Sequence, residues 1–380
     1  MKKIFYSVVV ALVLCSTTST VNAQADIANI FKSGIADLNK VANGYLKPVG
    51  TGFSAGLGTN WYNTAEVHKT FGFDLTIGAG AAMVPTEDQM FSLAGLTNLV
   101  PTGGATQAPT FAGSGKGVEL SLMQPKFLAD GTTANPLYAG GTGKITSFTT
   151  PGGVFKYIPT ASLQLTIGLP FINDVSVRFV PKVSVQGFET SMWGVGIKHN
   201  FKQWIPVVKA LPFDASVILA YSNFDLKYAF PSNALITPNL LVTAPLTAYD
   251  GTTPASTYNG QNMNIKATAM TANIIVSKKL LFATPYIGFG VTKTNFDLTL
   301  AGTYPALGNP ETQVIAGTTV PTGRMLINHM VDPVKISSGE VMPNMTIGLR
   351  LKVLFAVTFH AQYTLQKYPI ASAGFGISIR

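Results

Sequence analysis

The sequence has very little cysteine and very little charge. Cys15 is its one cysteine, and only 11% of its 380 residues are Asp, Glu, Lys or Arg, against about 25% in a typical soluble domain. After the first residues, no apolar run approaches the roughly 18 residues that a membrane-spanning helix needs. A chain that is 47% hydrophobic and lacks such runs is either a large soluble β-sandwich or a membrane β-barrel, which satisfies every backbone hydrogen bond in lipid.

The N-terminus predicts export. Two lysines precede an apolar run from Ile4 to Cys15, and a small-residue cleavage site ends at Ala23. This is the order of a secretory signal peptide, so residues 1–23 are assigned to one. Cleavage after Ala23 leaves no cysteine, which excludes disulfides, thiol catalysis and cysteine metal sites.

The chain carries an excess of positive charge. The formal net charge is +9 at pH 7, and removal of Lys2 and Lys3 with the signal peptide leaves 9 − 2 = +7. The basic residues are spread thinly and form no run interleaved with aromatic residues. The sequence therefore predicts no nucleic-acid partner.

Apolar residues alternate with polar or small residues in many segments, most clearly between Val341 and Arg380. Successive side chains of a strand point to opposite faces, so each segment predicts a strand with lipid on one face and water on the other. Behind a signal peptide, this pattern predicts a bacterial outer-membrane β-barrel, all-β and antiparallel, over residues 49–380. We count twelve strands, at 53–62, 71–83, 117–123, 163–169, 175–179, 193–197, 213–228, 261–276, 286–300, 345–352, 355–363 and 373–380.

The connections between these strands test the count. Segments 124–155, 230–260 and 302–340 are long and fall on the external side, whereas 169–174, 277–283 and 352–354 are short and fall inside, as expected of such barrels. Two connections do not follow the rule that inner turns are short. Segment 85–115 is long yet falls inside, and 200–212 is a long inner link. Either could contain a helix, and 85–115 could contain a strand pair, so a count of fourteen stays open.

An amphipathic helix is predicted before the barrel, within residues 24–48. Apolar residues recur at three- and four-residue steps from Asp26 to Leu46, and Lys47-Pro48 ends the pattern. The helix either plugs the lumen or packs under the barrel or on the membrane. The apolar stripe of the candidate plug is Ile27, Ile30, Phe31, Ile35 and Leu38.

No motif in the sequence predicts catalysis, a cofactor or a metal site. The four histidines lie on different predicted elements without the spacing of metal ligands, and His360 would need a nearby serine to act in a hydrolase. The protein is therefore predicted not to be an enzyme. The candidate lumen residues are Asp74, Gln164, Arg178, Lys198, Asp214, Lys266, Arg350 and His360.

Several segments resemble an uncharacterised family of bacterial outer-membrane β-barrels, which is loosely similar to the long-chain fatty-acid transporter porins. The segments are Asn60-Trp61-Tyr62-Asn63-Thr64-Ala65, His68 to Leu75, Leu165 to Pro170, Val177 to Pro181 and Trp193 to His199. The resemblance implies the barrel fold, and the N-terminal helix is similar to the hatch of the fatty-acid porins. The chain departs from many such barrels in ending on Ile379-Arg380 instead of an aromatic residue.

The expected function is passive uptake of small hydrophobic or amphipathic molecules across the outer membrane. The alternative is a non-transporting barrel that serves as a scaffold or adaptor for surface or secretion machinery. A third, weaker alternative is an outer-membrane hydrolase. The expected partners are outer-membrane lipid, the barrel insertion machinery and a solute that the sequence does not identify, and the barrel is expected to be a monomer.

Overall fold

In a computed structural model, the chain forms a closed β-barrel of ten antiparallel strands. The structure describes residues 35–123, 144–171, 173–185, 187–242, 247–249, 251, 253–353 and 355–379. The predicted signal peptide and the first part of the predicted helix lie outside these residues.

Elements are numbered in chain order. The helices are α1 (Ile35–Leu57) and α2 (Pro206–Lys209). The barrel strands are β1 (Phe73–Met83), β7 (Tyr157–Leu169), β8 (Asn173–Val185), β9 (Phe188–Asn200), β10 (Asp214–Ala229), β12 (Asn262–Ser277), β13 (Ala283–Ala301), β16 (Val334–Val353), β17 (Val357–Leu365) and β18 (Ile370–Ile379). The strands outside the barrel are β2 (Met90–Ser92), β3 (Leu99–Pro101), β4 (Gln107–Pro109), β5 (Glu119–Met123), β6 (Lys144–Thr149), β11 (Thr247–Tyr249), β14 (Thr303–Ile315) and β15 (Thr318–Val331).

The barrel closes through β1, which pairs with both β18 and β7, so that Phe73 lies opposite Ile379 on one side and Ile167 on the other. The count is ten, not the predicted twelve or fourteen. Ten of the predicted strands form the barrel, and two do not. Segment 53–62 contains the end of α1, and segment 117–123 contains β5, which belongs to a small sheet with β3 and β6.

The two ends of the barrel differ in their connections. At the end where β1 begins, which we call the short-turn end, the links are 170–172, 201–213, 278–282 and 354–356. At the opposite end, which we call the long-loop end, 84–156, 230–261 and 302–333 are long insertions. The prediction that 85–115 lies inside was wrong because β5 does not cross the barrel, and the segment belongs to the long-loop end. It contains a strand pair, β2 with β4, but this pair lies outside the barrel and does not add to its strands as the count of fourteen required. The link 200–212 contains α2, as one of its alternatives predicted.

Helix α1 continues through Pro48 to Leu57, so the predicted stop at Lys47-Pro48 was wrong. A proline inside a helix costs about 3 kcal/mol because it removes a hydrogen bond and crowds the preceding turn. Contacts with the inner wall of the barrel offset that cost. Ser54, for example, is buried and donates to the carbonyl of Asn295 at 3.1 Å.

Apolar packing surrounds α1 in the half of the lumen nearest the long-loop end, which we call the upper lumen. Leu38 and Leu57 of the helix belong to one buried cluster with inward side chains of β12, β13 and β16. The wall members of this cluster include Ala267, Ala269, Phe296, Leu298, Val334 and Ile336. In the other half, the lower lumen, residues 58–70 occupy the space in place of the helix.

The outer face of the barrel is apolar near the short-turn end. Leu165 and Ile347 are exposed on it, whereas their neighbours Gln164 and Thr346 are buried inside, which agrees with the predicted alternation. Three aromatic residues, Trp61, Tyr62 and Tyr368, are buried in the interior.

The wall has one incomplete seam. Strands β7 and β8 pair only between Gln164–Leu169 and Asn173–Arg178, although both strands extend further toward the long-loop end. On its other side, β8 has a register shift against β9 between Val180 and Val183, where Pro181 lies. Because proline cannot donate to a ladder, Pro181 interrupts the hydrogen bonding of β8 at this level.

Candidate functional site

The candidate site is the occupied lumen, and its first element is the upper anchor of α1. The buried carboxylate of Asp37 accepts three hydrogen bonds, of 2.8, 2.8 and 3.0 Å, from the backbone N–H groups of residues 97–99. The hydroxyl of Tyr45 donates to the carbonyl of Gly152 at 3.1 Å. Burial raises the pKa of Tyr45 to about 12, so this donor keeps its proton at physiological pH. The insertion between β1 and β7 therefore fixes the start of the helix at the long-loop end.

Arg178 of β8 caps the other end of α1. Its Nη1 and Nη2 atoms donate to the carbonyls of Leu57 (3.1 Å) and Thr59 (2.8 Å). Its Nε donates to Gln164 Oε1 at 3.0 Å, and its Cζ lies 3.8 Å from the centre of the Trp61 ring. The last carbonyls of a helix lack partners within the helix, and a cation there is favourable. This buried guanidinium therefore joins the helix to the wall.

Side chains of the wall also satisfy the backbone of residues 58–70, which form no regular helix or strand. Thr271 donates to the carbonyl of Gly58 at 2.9 Å, and Gln164 donates to that of Trp61 at 3.1 Å. The backbone N–H of Ala65 donates to the hydroxyl of Ser277 at 2.9 Å. Because an unpaired buried backbone group is costly, these bonds hold the segment in place. We call residues 35–70 the plug.

A buried charged cluster fixes the lower end of the plug. Asp174 Oδ2 lies 3.0 Å from Lys198 Nζ and 3.1 Å from His68 Nδ1. Asp174 Oδ1 accepts from the backbone N–H of His68 at 2.8 Å, and Lys198 donates to the carbonyl of Glu66 at 3.0 Å. Buried charges persist when they are paired and hydrogen-bonded, and here the pairing joins the plug to β8 and β9.

Glycines of the wall make room for the aromatic side chains of the plug. A Cβ added at Gly194 or Gly196 of β9 would lie 3.0 or 3.1 Å from the Trp61 ring. A Cβ added at Gly288 of β13 would lie 2.2 Å from the hydroxyl oxygen of Tyr62. The close approach of plug and wall therefore requires glycine at these inward positions.

The substitution Gly288→Ala is expected to weaken the fit of the plug. The added methyl group overlaps the Tyr62 hydroxyl, and overpacking of this kind costs about 1–3 kcal/mol. The expected result is a lower temperature for the heat-dependent shift of the barrel in detergent gels. Combining the substitution with Tyr62→Phe should recover part of the loss, and an unchanged transition in the single variant would contradict the contact.

A second polar cluster lies where the plug meets β1, β16 and β17. Arg350 Nη2 is 3.9 Å from Asp74 Oδ2, and the hydroxyl of Thr76 donates to Asp74. His360 Nε2 lies 2.8 Å from Asn60 Oδ1. Asn60 has a φ of 66°, a conformation that asparagine tolerates better than most residues. His360 thus contacts the plug through an amide.

The structure brings most of the candidate lumen residues together around the plug. Asp214 is half-buried at the start of β10. Lys266 instead lies on the outer face because its neighbour Ala267 points inward, and Lys266 stands opposite Asp225 and Asp297 in the adjacent strands. The residues buried on the inner wall are Asp74, Gln164, Arg178, Lys198, Arg350 and His360.

The structure describes only two residues of the predicted apolar stripe of the plug. Leu38 is buried in the upper lumen, whereas Ile35 is exposed at the start of α1. Ile27, Ile30 and Phe31 lie outside the described residues. Sequence reasoning missed the inward serines and threonines that hold the plug; their signal was the polar side of the strand alternation, which does not distinguish a hydrogen bond to a plug from contact with water.

Little space remains beside the lower part of the plug. A cavity of about 20 Å³ lies among residues that include Asn60, Trp61, His68, Asp74 and Lys198. One water molecule needs about 10–15 Å³, so this cavity has room for one or two waters. The plug closes the barrel at this level.

The histidines have separate partners. His199 Nδ1 lies 2.8 Å from Asn173 Oδ1, and His329 Nδ1 lies 3.0 Å from the Tyr258 hydroxyl. Within the described ranges, no group of three or more His, Cys, Asp or Glu side chains is placed to hold a metal ion. No helix in the described part of the chain is long and apolar enough to cross a membrane.

The strand pairing and the occupied lumen define a class of protein, a closed ten-stranded antiparallel β-barrel plugged by its own N-terminal segment. The chain belongs to the family described as "Family of unknown function (DUF6588)", whose model matches residues 1–379. Among curated proteins, none matches.

Solved structures of outer-membrane β-barrels are similar in outline. The attachment invasion locus protein Ail of Yersinia pestis is 8% identical, with 82% of this chain and 99% of that chain covered and a TM-score of 0.25. The translocator domain of the autotransporter NalP from Neisseria meningitidis is 8% identical, with 82% and 90% covered and a TM-score of 0.29. The toluene transporter TbuX of Ralstonia pickettii is 7% identical, with 88% and 98% covered and a TM-score of 0.23. All three scores are low, so the barrel assignment rests on the strand pairing described above.

Proposed function

We propose that the protein is an outer-membrane uptake channel for small hydrophobic or amphipathic molecules. The observation that carries this proposal is the apolar wall of the upper lumen, where Ala267, Phe296 and Leu298 point inward. Water-filled barrels have polar inner walls. A wall of this kind favours an apolar solute over a sugar or an ion.

The same wall explains how a solute can compete with the plug. Apart from the hydrogen bonds of Asp37, Asn39 and Tyr45, the upper half of α1 packs on this wall through apolar contacts such as those of Leu38. Such contacts are non-directional and scale with buried area. An apolar ligand can replace these contacts while the hydrogen bonds of Asp37 and Tyr45 stay in place. The ladder between β7 and β8 also ends beside the same compartment.

A fluorescence titration tests the proposal. Trp193→Phe and Trp204→Phe leave Trp61, which is buried against Arg178, as the reporter of plug position. In lipid nanodiscs, octanoate should bind saturably and shift the Trp61 emission, whereas glucose should not. Leu298→Ser should weaken the response, and Thr299→Ser, on the opposite face of β13, should leave it unchanged. Equal responses to octanoate and glucose, or no response to octanoate, would contradict the proposed solute class.

One observation favours the second candidate, a barrel that transports nothing and acts as a scaffold. The lower plug is held by directional bonds, including those of Asp174 and Lys198, and leaves almost no cavity. A scaffold would show neither an octanoate response nor uptake into proteoliposomes. We place the uptake function first because the inner wall that packs against the upper part of α1 is apolar, and such a wall also suits an apolar solute.

We also propose that the protein is a monomer that the barrel machinery inserts into the outer membrane. Two substitutions on the outer face of β12 test whether lipid covers that face. Ile274 of β12 is exposed on the apolar part of the outer face, and Asn264 lies further along the same face beside Lys266. Ile274→Lys should cost about 2–4 kcal/mol if lipid covers this position, and Asn264→Lys should cost little. Urea unfolding of the barrel in lipid vesicles measures the free energy of unfolding of both variants. Equal losses would contradict a position of Ile274 within the membrane and of Asn264 outside it.

A further inference from the structure

Each connection at the short-turn end carries an exposed apolar residue, and we call these residues the apolar tips. Phe71 precedes β1, Phe171 follows β7, Leu281 follows β12 and Phe355 follows β16, with exposed fractions of 84%, 87%, 92% and 96%. Trp204, in the link from β9 to β10, is 73% exposed. Such exposure of large apolar side chains is unfavourable in water.

Four of the tips also have a strained backbone. The φ angle is 66° at Phe71, 60° at Phe171, 49° at Leu281 and 63° at Phe355. Bulky side chains rarely adopt this left-handed region, which glycine or asparagine would occupy with less strain. Strain and exposure at the same four residues indicate that the environment of this rim is apolar and stabilises apolar side chains there.

Lysines accompany the tips, and we call them the lysine collar: Lys69, Lys202, Lys209, Lys278 and Lys279. Lys202 is partly exposed and the other four are exposed. No ion pair involves any of the five within the described residues. Glu66 and Asp214 also lie at this end, so the five lysines leave an excess of positive charge at the rim that carries the tips.

The long-loop end has a different charge pattern. Its charges are of both signs, and several of them pair, as in Lys182 with Glu189 and Lys367 with Glu340, both at 2.8 Å. The excess positive charge of the chain is thus concentrated at the short-turn end, although it is spread thinly along the sequence.

We propose that the short-turn end binds a lipid leaflet that contains anionic phospholipid. The apolar tips insert at the level of the acyl chains, and the lysine collar contacts the headgroup phosphates. Aromatic residues occupy this level in membrane barrels, and lysines reach the headgroups while their stems stay in apolar surroundings. A flat leaflet fits because the tips lie all round one rim, in five separate connections.

Quenching of Trp204 by brominated lipids tests this contact. In a Trp193→Phe background, Trp61 stays buried and Trp204 reports on the rim. Brominated phosphatidylglycerol should quench Trp204 more strongly than brominated phosphatidylcholine at the same mole fraction, with a roughly fivefold preference from one lysine contact. The preference should disappear in 1 M salt, where charges are screened within about 3 Å.

Two pairs of variants test whether the lysine collar, and not positive charge elsewhere on the protein, causes the preference for the anionic lipid. Lys202→Gln with Lys209→Gln, which flank Trp204, should abolish the preference for the anionic lipid. Lys182→Gln with Lys227→Gln, near the long-loop end, should preserve it. Equal quenching by the two lipids at low salt would overturn the headgroup contact, and absence of quenching by either would overturn insertion of the tips.

Discussion

Deletion of residues 24–70 is expected to open the barrel, whereas deletion of residues 24–46 is expected to leave it closed. The shorter deletion removes the upper part of α1 but keeps the cap at Arg178 and the cluster around Asp174. The longer deletion removes the whole plug and leaves a passage about 10 Å wide, the diameter of a helix with its side chains. Planar-bilayer conductance should therefore be large and ohmic for the longer deletion and near background for the shorter one.

The comparison depends on correct insertion of both proteins. Heat-dependent migration in detergent gels reports a closed barrel, because the complete hydrogen-bond network resists unfolding. A conducting 24–46 deletion that still shows this shift would mean that residues 58–70 do not seal the lumen. A non-conducting 24–70 deletion would mean that another segment closes it.

Substitution of Lys198 by methionine is expected to cause the largest loss of stability by a single residue. The change leaves the buried Asp174 carboxylate without its cation, although His68 stays at 3.1 Å. Removing one partner of a buried ion pair costs about 3–5 kcal/mol because the other charge stays buried. Urea unfolding in lipid vesicles should show this loss, together with ion leakage as the lower plug detaches.

Two matched variants test the cause. Lys182→Met breaks the exposed pair with Glu189, whose N–O distance is 2.8 Å, and should cost less than about 1 kcal/mol. The double variant Lys198→Met with Asp174→Asn removes both charges and should recover part of the loss. A double variant as unstable as the single one would show that packing, and not the unpaired charge, decides the effect.

The strands could be predicted from sequence because their alternation records which face each residue occupies. Ten of the twelve predicted strands form the barrel, and Gln164, Arg178 and Lys198 point inward as predicted. Segment 53–62 misled the count because its apolar residues also alternate, while contacts within the lumen keep Phe53–Leu57 helical. Local pattern carries no information about such distant contacts.

The roles of the inward residues could not be predicted for the same reason. Arg178 caps carbonyls that lie 121 positions away in the chain for Leu57 and 119 for Thr59. That pairing depends on the register of β8 and on where α1 ends, and neither is visible as a motif. The lysine collar could not be predicted either. Its lysines come from three separate segments of the sequence and lie at one rim only because the connections converge there.

The path of the plug constrains the order of folding. The plug is anchored by Asp37 at the long-loop end, runs through the lumen, and joins β1 at the short-turn end. The barrel closes when β1 meets β18, and Phe73 and Ile379 are then 379 − 73 = 306 positions apart. Once this ladder has formed, the N-terminal segment could reach its anchor only by threading through a narrow cylinder. We therefore expect the wall to assemble around a chain already inside it, and the late pairing of such distant segments to make closure slow.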